Sequence, residues 1–210
     1  MVSYLDELLH AHATSLSDIS FIAIDKGPGA FTSLRVSIAT ANGIGFARHI
    51  PLVGIDGLEA LYEEAVEKLQ QPNGKPHINT VVCLLNAYNN DAYFYIKNIN
   101  NDNEKQPLYG CKNSEELLID IREFCGDRPF VCAGNGATLY ATLIQKVFGD
   151  QALFNSSMPE VASAQKIGLM AYDKICHPGL DQGSMPCEKT YKIIPNYLKT
   201  QNFAIKKPIK

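Results

Sequence analysis

Two glycine-rich turns are the parts of this sequence whose residue types could bind an anion. GPGAFTSLR, residues 27–35, follows the apolar run 21–24, and Gly134-Asn135-Gly136 follows a second apolar run. A turn that leads into a helix presents free N–H groups, which can bind phosphate. However, the chain lacks the third glycine of a dinucleotide fingerprint and the Gly-Lys-Ser/Thr ending of a P-loop. Phosphate-facing turns and plain strand-to-helix turns both stay open, and the glycines concerned are Gly27, Gly29, Gly134 and Gly136.

The other chemistry-bearing residues do not form a recognisable site. His10 and His12 are two residues apart on a predicted helix, whereas a zinc-binding pair on a helix needs a spacing of four. The six cysteines form no C-x-x-C pair, and no G-x-S-x-G nucleophile motif occurs. Asp25, at the end of a predicted strand, could hold hydrated magnesium or cap the adjacent turn. The sequence therefore predicts no catalytic residue and no metal site.

The helix predicted after the first turn, residues 33–48, has almost no polar face. Leu34, Ile38, Ala41 and Ile44 lie on one side, and Val36, Thr40, Gly43 and Ala47 lie nearly opposite. A helix that is apolar or small nearly all round must be covered on both sides. Gly43 and Gly45 each cost about 1 kcal/mol against alanine, so we expect another backbone to approach closely there.

Two covers for the outer side of this helix are possible. One is the short amphipathic helix predicted at residues 2–13, and the other is a second protein; both can hold. We expect a partner interface made by these two helices, with the residues Leu5, Leu8, Val36, Thr40, Gly43 and Ala47.

The order of elements predicts an α/β protein. Strands at 21–25 and 51–55 alternate with helices at 33–48 and 56–69, which is typical of parallel strands. After a turn-rich stretch at 71–79, three antiparallel strands are predicted within 80–112. Helices at 113–125, 137–148 and 157–175 follow, with a strand at 129–133. We expect two domains, residues 1–72 and 73–210.

Composition sets limits on function. The 210 residues carry a net charge of −3 with a pI near 5.9, which argues against a protein that binds nucleic acid by itself. No stretch reaches the length of a membrane span, and the N-terminal residues do not resemble a signal peptide. The scattered cysteines are typical of a reducing compartment. We expect a cytoplasmic protein without membrane contact.

The segment FIAIDKGPGAFTSLRVSIATANGIGFARHIPLVGIDGLEAL resembles the TsaB family of threonylcarbamoyladenosine biosynthesis proteins. YLDELLHAHATSLSDIS, FVCAGNGATLY and IPNYLK are similar to further family segments and come in the family's order. The resemblance covers roughly residues 3–172 and 193–199.

The resemblance implies an actin-like (ASKHA, RNase H-like) fold of two related α/β lobes. It implies a non-catalytic partner of TsaD, the subunit that transfers threonylcarbamoyl to the adenosine beside the anticodon of ANN-decoding tRNAs. TsaE, an ATPase, completes the assembly, and the family's first two helices contact TsaD or a second copy. Accordingly we expect TsaD and TsaE as partners, a possible homodimer, tRNA contact only through the complex, and ATP or ADP only at the level of the complex.

The chain departs from the family pattern in three places. Family members have further strands before the first helix, so we expect a first lobe without its N-terminal strands and an open edge on the strand 21–25. The family's Asp-Ala-Arg appears as Asn86-Ala87-Tyr88, and the loop 177–188 is longer. The alternative function is a nucleotide-dependent phosphotransferase or ATPase of the same fold, with the four turn glycines around phosphate.

Overall fold

The computed structural model describes residues 2–70, 78–99, 105–177 and 190–199. The helices are α1 (Val2–Ala11), α2 (Phe31–Arg48), α3 (Gly57–Leu69), α4 (Ser114–Cys125), α5 (Asn135–Leu139), α6 (Ala141–Phe148) and α7 (Ala164–Cys176). The strands are β1 (Ile22–Asp25), β2 (Leu52–Ile55), β3 (Thr80–Asn86), β4 (Asp91–Asn98), β5 (Leu108–Asn113), β6 (Phe130–Ala133) and β7 (Ala152–Phe154). The α/β prediction is confirmed.

The first sheet consists of β1 and β2, which run parallel with Ile22 opposite Leu52. Both faces are covered by helices. On one face α7 packs Ile167 and Ala171 against β2, and on the other α2 packs against both strands. Parallel strands covered on both faces read as continuous apolar runs, as these two do. Within the described residues β1 pairs with no strand other than β2.

The second sheet has the strand order β5-β4-β3-β6-β7. The pairs β3–β4 and β4–β5 are antiparallel, whereas β3–β6 and β6–β7 are parallel. The largest core cluster fills one face with side chains of this sheet and of α4 and α6, such as Ile121, Phe130 and Ile144. The opposite face packs on α3 through Leu58 and Leu61, and both are fully buried.

Helix α3 joins the two sheets because it contacts both. Its Leu58 and Leu61 face the second sheet, while Ala60 belongs to the cluster on the first sheet. The helix begins as the sequence predicts: the Asp56 side chain accepts hydrogen bonds from the backbone N–H groups of Leu58 and Glu59. The domain division at residues 72 and 73 stays a prediction, and α7, from the second part of the chain, covers the first sheet.

Two sequence predictions for the second half were wrong, and one strand was missed. The helix predicted from Ser157 begins at Ala164, where the Ser163 side chain caps it by accepting from Lys166 N–H. The carbonyls of Pro159 and Glu160 instead accept hydrogen bonds from the second glycine turn, and residues 155–163 form turns and bends rather than a helix. The short strand β7 was missed, and the helix predicted at 137–148 is divided into α5 and α6 at Tyr140.

Within the described residues, every helix is too short or too polar to cross a lipid bilayer. Most of the turn-rich stretch 71–79, most of the loop 177–188 and the lysines beyond residue 199 lie outside the described residues.

Candidate partner interface

The inner side of α2 is buried in the first sheet, as its apolar pattern predicts. Leu34, Ile38 and Ala41 are buried, and Ile38 is only 2% exposed. Gly45 lies on the same side, where an added Cβ would stand 2.9 Å from the Ile50 carbonyl oxygen and 3.0 Å from Leu52 Cδ2. The close backbone approach expected at this glycine is therefore confirmed.

The outer side of α2 faces solvent in this chain. Val36 is 54% exposed, Gly43 and Ala47 are exposed, and Thr40 is half-buried with its hydroxyl donating to the Val36 carbonyl. An added Cβ on Gly43 would meet nothing within 4 Å. The close approach expected at Gly43 has no counterpart within the described residues, so this side of the helix is small, apolar and uncovered.

Helix α1 does not cover this face. In the described part of the chain, α2 packs on β1 and β2, while α1 makes no extensive contact with any helix or strand. Tyr4 and Leu8 of α1 are 74% and 57% exposed, and Leu5 is half-buried. The sequence allowed either α1 or a second protein to cover the outer side of α2, and in this structure α1 does not cover it. The six interface residues stay a prediction.

The first glycine turn is held by the chain's own groups. The Gly27 N–H donates to Asp25 Oδ1 at 2.8 Å, and the Gly27 carbonyl accepts from Gly57 N–H at 2.9 Å. Gly27 has φ +98°, and an added Cβ would lie 2.8 Å from Leu34 Cδ2, so a larger residue would strain the backbone and displace the Leu34 side chain. Gly29 has open space around it. These contacts fix where α2 begins.

Asp25 acts here as the cap of the turn. Surrounding protein disfavours its charged form and raises the pKa of its carboxyl; the hydrogen bond from Gly27 N–H opposes this rise, and the negative charge of Asp56 adds to it. Within the described residues, no group of three or more His, Cys, Asp or Glu side chains could hold a metal ion.

The second glycine turn has its N–H donors occupied by a neighbouring loop. Gly134 N–H donates to the Pro159 carbonyl and Asn135 N–H to the Glu160 carbonyl, both at 2.8 Å. Gly134 has φ +98°, and an added Cβ on Gly136 would lie 2.9 Å from the Leu84 carbonyl group. The glycines here allow a close approach to β3, while the phosphate-facing role of this turn stays a prediction.

The chain's C-terminal described segment, residues 190–199 and here called the strap, crosses the molecule beside α2. Thr190 O accepts from Leu52 N–H at 2.8 Å, at the edge of the first sheet. The Asn42 side chain of α2 then bonds both backbone groups of Ile193: its Oδ1 accepts at 2.8 Å and its Nδ2 donates at 3.0 Å. The strap is thereby tied to β2 and to α2.

Further along, the strap joins the first turn to the second sheet. Asn196 N–H donates to the Lys26 carbonyl at 2.7 Å, and its side chain donates to Asp56 at 2.8 Å. The Tyr109 hydroxyl of β5 donates to the same carboxylate at 2.6 Å, and burial raises the pKa of Tyr109, so it remains a donor. Sequence reasoning noted IPNYLK only as a family segment and missed this role.

The strap also supplies a charge pair to the hairpin between β3 and β4. Lys199 Nζ lies 2.6 Å from Asp91 Oδ2 and donates to the carbonyls of Ala87 and Tyr88. A cleft of about 510 Å³ separates this hairpin from the start of α2, with Lys199 in its lining. These three contacts occupy the N–H donors of Lys199, which thereby anchors the hairpin. The hairpin begins with Asn86-Ala87-Tyr88, the segment that replaces Asp-Ala-Arg of the resembling family.

Comparison with protein-family models gives one match that spans most of the chain. The model is described as TsaD, tRNA N6-adenosine threonylcarbamoyltransferase, and it matches residues 1–169. The chain belongs to this family. Curated relatives identify it more closely as a TsaB member of the family, which confirms the resemblance found in the sequence.

Several of the curated relatives are TsaB proteins of bacteria. The Haemophilus influenzae protein, named a tRNA threonylcarbamoyladenosine biosynthesis protein, is 32% identical over 43% of this chain and 35% of its own length. The Escherichia coli protein of the same name is 33% identical over 30% of this chain and 28% of its own length. The matched part of the chain thus spans about a third of the length of each of these two relatives. The Bacillus subtilis TsaB is 20% identical over 87% of this chain and 70% of its own length.

Solved structures confirm the fold of this TsaB member. A crystal structure described as similar to peptidase YeaZ from Pseudomonas aeruginosa has a TM-score of 0.64 at 19% identity, covering 94% of this chain and 82% of that one. A second structure, YeaZ from the same organism, has a TM-score of 0.62 at 18% identity with the same coverage. The α/β fold is thus the actin-like fold of the TsaD-type family.

Proposed function

We propose that this chain is a non-catalytic partner of a TsaD-type protein in the formation of threonylcarbamoyladenosine beside the anticodon of ANN-decoding tRNAs. It acts by helix-mediated association through α1 and α2. The observation that carries the proposal is the outer face of α2, where Val36 is 54% exposed and Gly43 and Ala47 lie bare beside it. A face this apolar favours burial against a second protein.

The relatives' names support the pathway. Curated relatives include both TsaB biosynthesis proteins and tRNA N6-adenosine threonylcarbamoyltransferases; one of the latter, from Syntrophus aciditrophicus, is 45% identical over 25% of this chain and 16% of its own length. A TsaD-type subunit is the partner we propose, with TsaE joining the assembly. The chain's net charge of −3 favours contact with tRNA through the complex.

A non-catalytic role agrees with the chemistry on the described surface. Asp25 is engaged in capping the turn, and the donors of the second turn bind the loop at Pro159 and Glu160. These bonds give less support to the alternative, a nucleotide-dependent phosphotransferase or ATPase that uses the glycine turns. We propose that the chain needs no cofactor of its own and that ATP or ADP acts at the level of the complex.

Size-exclusion chromatography with the TsaD-type protein of the same organism tests the proposal. We expect the chain to elute with its partner and Gly43→Glu to elute alone, because the charge occupies the face that the partner covers. Gly168→Glu on α7 is the matched control, since an added Cβ there also meets nothing within 4 Å. A Gly43→Glu variant that is folded by circular dichroism and still elutes with the partner would contradict the proposal.

A further inference from the structure

Two large apolar side chains stand in solvent on either side of Asn42. Phe46 of α2 is 76% exposed, and Ile194 of the strap is 70% exposed. Both exceed Val36 in exposure, and the sequence analysis singled out neither residue. Burying side chains of this kind is favourable, so an apolar residue on each of two elements that are bonded to one another is a candidate for a partner contact.

Their positions follow from the contacts of Asn42. The side chain of Asn42 bonds both backbone groups of Ile193, which fixes the strap against α2. The Ile193 side chain faces inward, since it lies 3.3 Å from where a Cβ on Gly54 would stand, and the next residue, Ile194, is therefore free to face outward. Phe46 follows Asn42 by one helical turn on the same side of α2.

The resulting surface has a flat strip and a raised edge. Gly43 and Ala47 form the strip, which has no side chain larger than a methyl group. We infer that Phe46 and Ile194 form the edge, since both are exposed, Phe46 lies one turn after Asn42, and Ile194 follows the residue that Asn42 binds. Small residues let a second backbone approach, and an apolar edge packs against its flank, which is the shape that binds an amphipathic helix.

The charged side chains of α2 and of the strap are all basic. Neither α2 nor the strap contains an aspartate or glutamate. Arg35, Arg48 and Lys192 are exposed on these two elements. A helix bound here is therefore favoured when acidic residues flank its apolar stripe. A second copy of the chain would bring the same basic surface to the contact if its α2 and strap faced these.

We propose that this surface, formed by α2 and the strap together, binds an amphipathic helix with acidic flanks that belongs to the TsaD-type partner. Phe46 and Ile194 are its apolar anchors, so the C-terminal strap is part of the interface. The inference rests on the proposed function and adds the second wall of the site and the charge of the helix bound there.

Calorimetric titration of the chain with the TsaD-type protein of the same organism tests the inference. We expect Ile194→Glu to weaken binding at least tenfold, because it places an acid against the acidic flank and removes an apolar anchor. Ile119→Glu on α4 is the control, since Ile119 is also exposed, at 60%, and lies on an element that packs against the second sheet. We expect it to bind as the unchanged chain does.

The outcomes separate the two proposals. If Gly43→Glu abolishes binding while Ile194→Glu binds as tightly as Ile119→Glu, the strap is outside the interface and this inference is wrong, while the proposed function stands. If Gly43→Glu has no effect, the proposed function fails and this inference fails with it. If the chain alone is a dimer that Ile194→Glu dissociates without changing partner affinity, the surface binds a second copy and the inference is overturned.

Discussion

Two glycines of α2 that stand two residues apart have different physical roles. Gly45 faces inward, where the Ile50 carbonyl and the Leu52 side chain leave no room for a methyl group. Gly43 faces outward into open space. In an isolated helix both would lower stability by about 1 kcal/mol relative to alanine. Of these two glycines only Gly45 has a packing reason within the described residues, and we infer that the reason for Gly43 is contact with a partner.

Alanine substitutions should therefore have opposite effects on stability. Gly45→Ala should lower the free energy of unfolding by about 1–3 kcal/mol, because the added methyl overpacks the contact with β2. Gly43→Ala should raise it by about 0.5–1 kcal/mol, because it improves helix propensity without a clash. Urea denaturation measures both. A destabilised Gly43→Ala variant would show that this position is packed within the chain.

Among the elements, the strap has the greatest influence on how the parts of the chain are joined. Its contacts begin at β2, continue along α2 and the first turn, and end at the hairpin between β3 and β4. Asn42 supplies two of its bonds from a single side chain. The strap thus fixes α2 relative to the second sheet.

Asn42→Ala should loosen the strap. We expect the Ile193 amide to exchange at least tenfold faster with deuterium, since its acceptor is removed, while amides of α4 keep their rates. Asn155→Ala is the control, because among the described residues Asn155 Oδ1 accepts only from nearby Ser157 N–H. Unchanged exchange at Ile193 would mean that the other anchors hold the strap without Asn42.

The sequence allowed the elements with strong local signals to be predicted. The apolar pattern located α2, and the capping aspartate Asp56 located the start of α3. The start of α7 was missed because Ser157 and Pro159 resemble a helix start, although the Pro159 carbonyl binds a turn far away in sequence. The strap was missed for the same reason, since its bonds join residues more than 100 positions apart.

At the site, the sequence allowed the outer face of α2 to be predicted, but not the residues that border this face. The helical spacing of Val36, Gly43 and Ala47 indicated a side that either α1 or a second protein must cover, because periodicity is a local property. Phe46 and Ile194 were overlooked, since their proximity depends on where the strap docks. Local patterns thus identify a face, and only the fold shows what borders it.

For the whole molecule, the central feature is an apolar surface on α2 that the described part of the chain leaves uncovered. The core beneath it is well formed: α2 is packed on the first sheet, and α3 joins that sheet to the second. We propose that a TsaD-type protein provides the cover. The central claim is that α2 becomes enclosed on its outer side when that protein binds.

Hydrogen exchange across α2 tests this claim most directly. Rates are measured for the chain alone and for its purified complex with the TsaD-type protein of the same organism, with the amides of α4 as an internal reference. The account predicts slower exchange at residues 36–47 in the complex and unchanged exchange in α4. Unchanged rates at residues 36–47 in a complex of confirmed stoichiometry would contradict it.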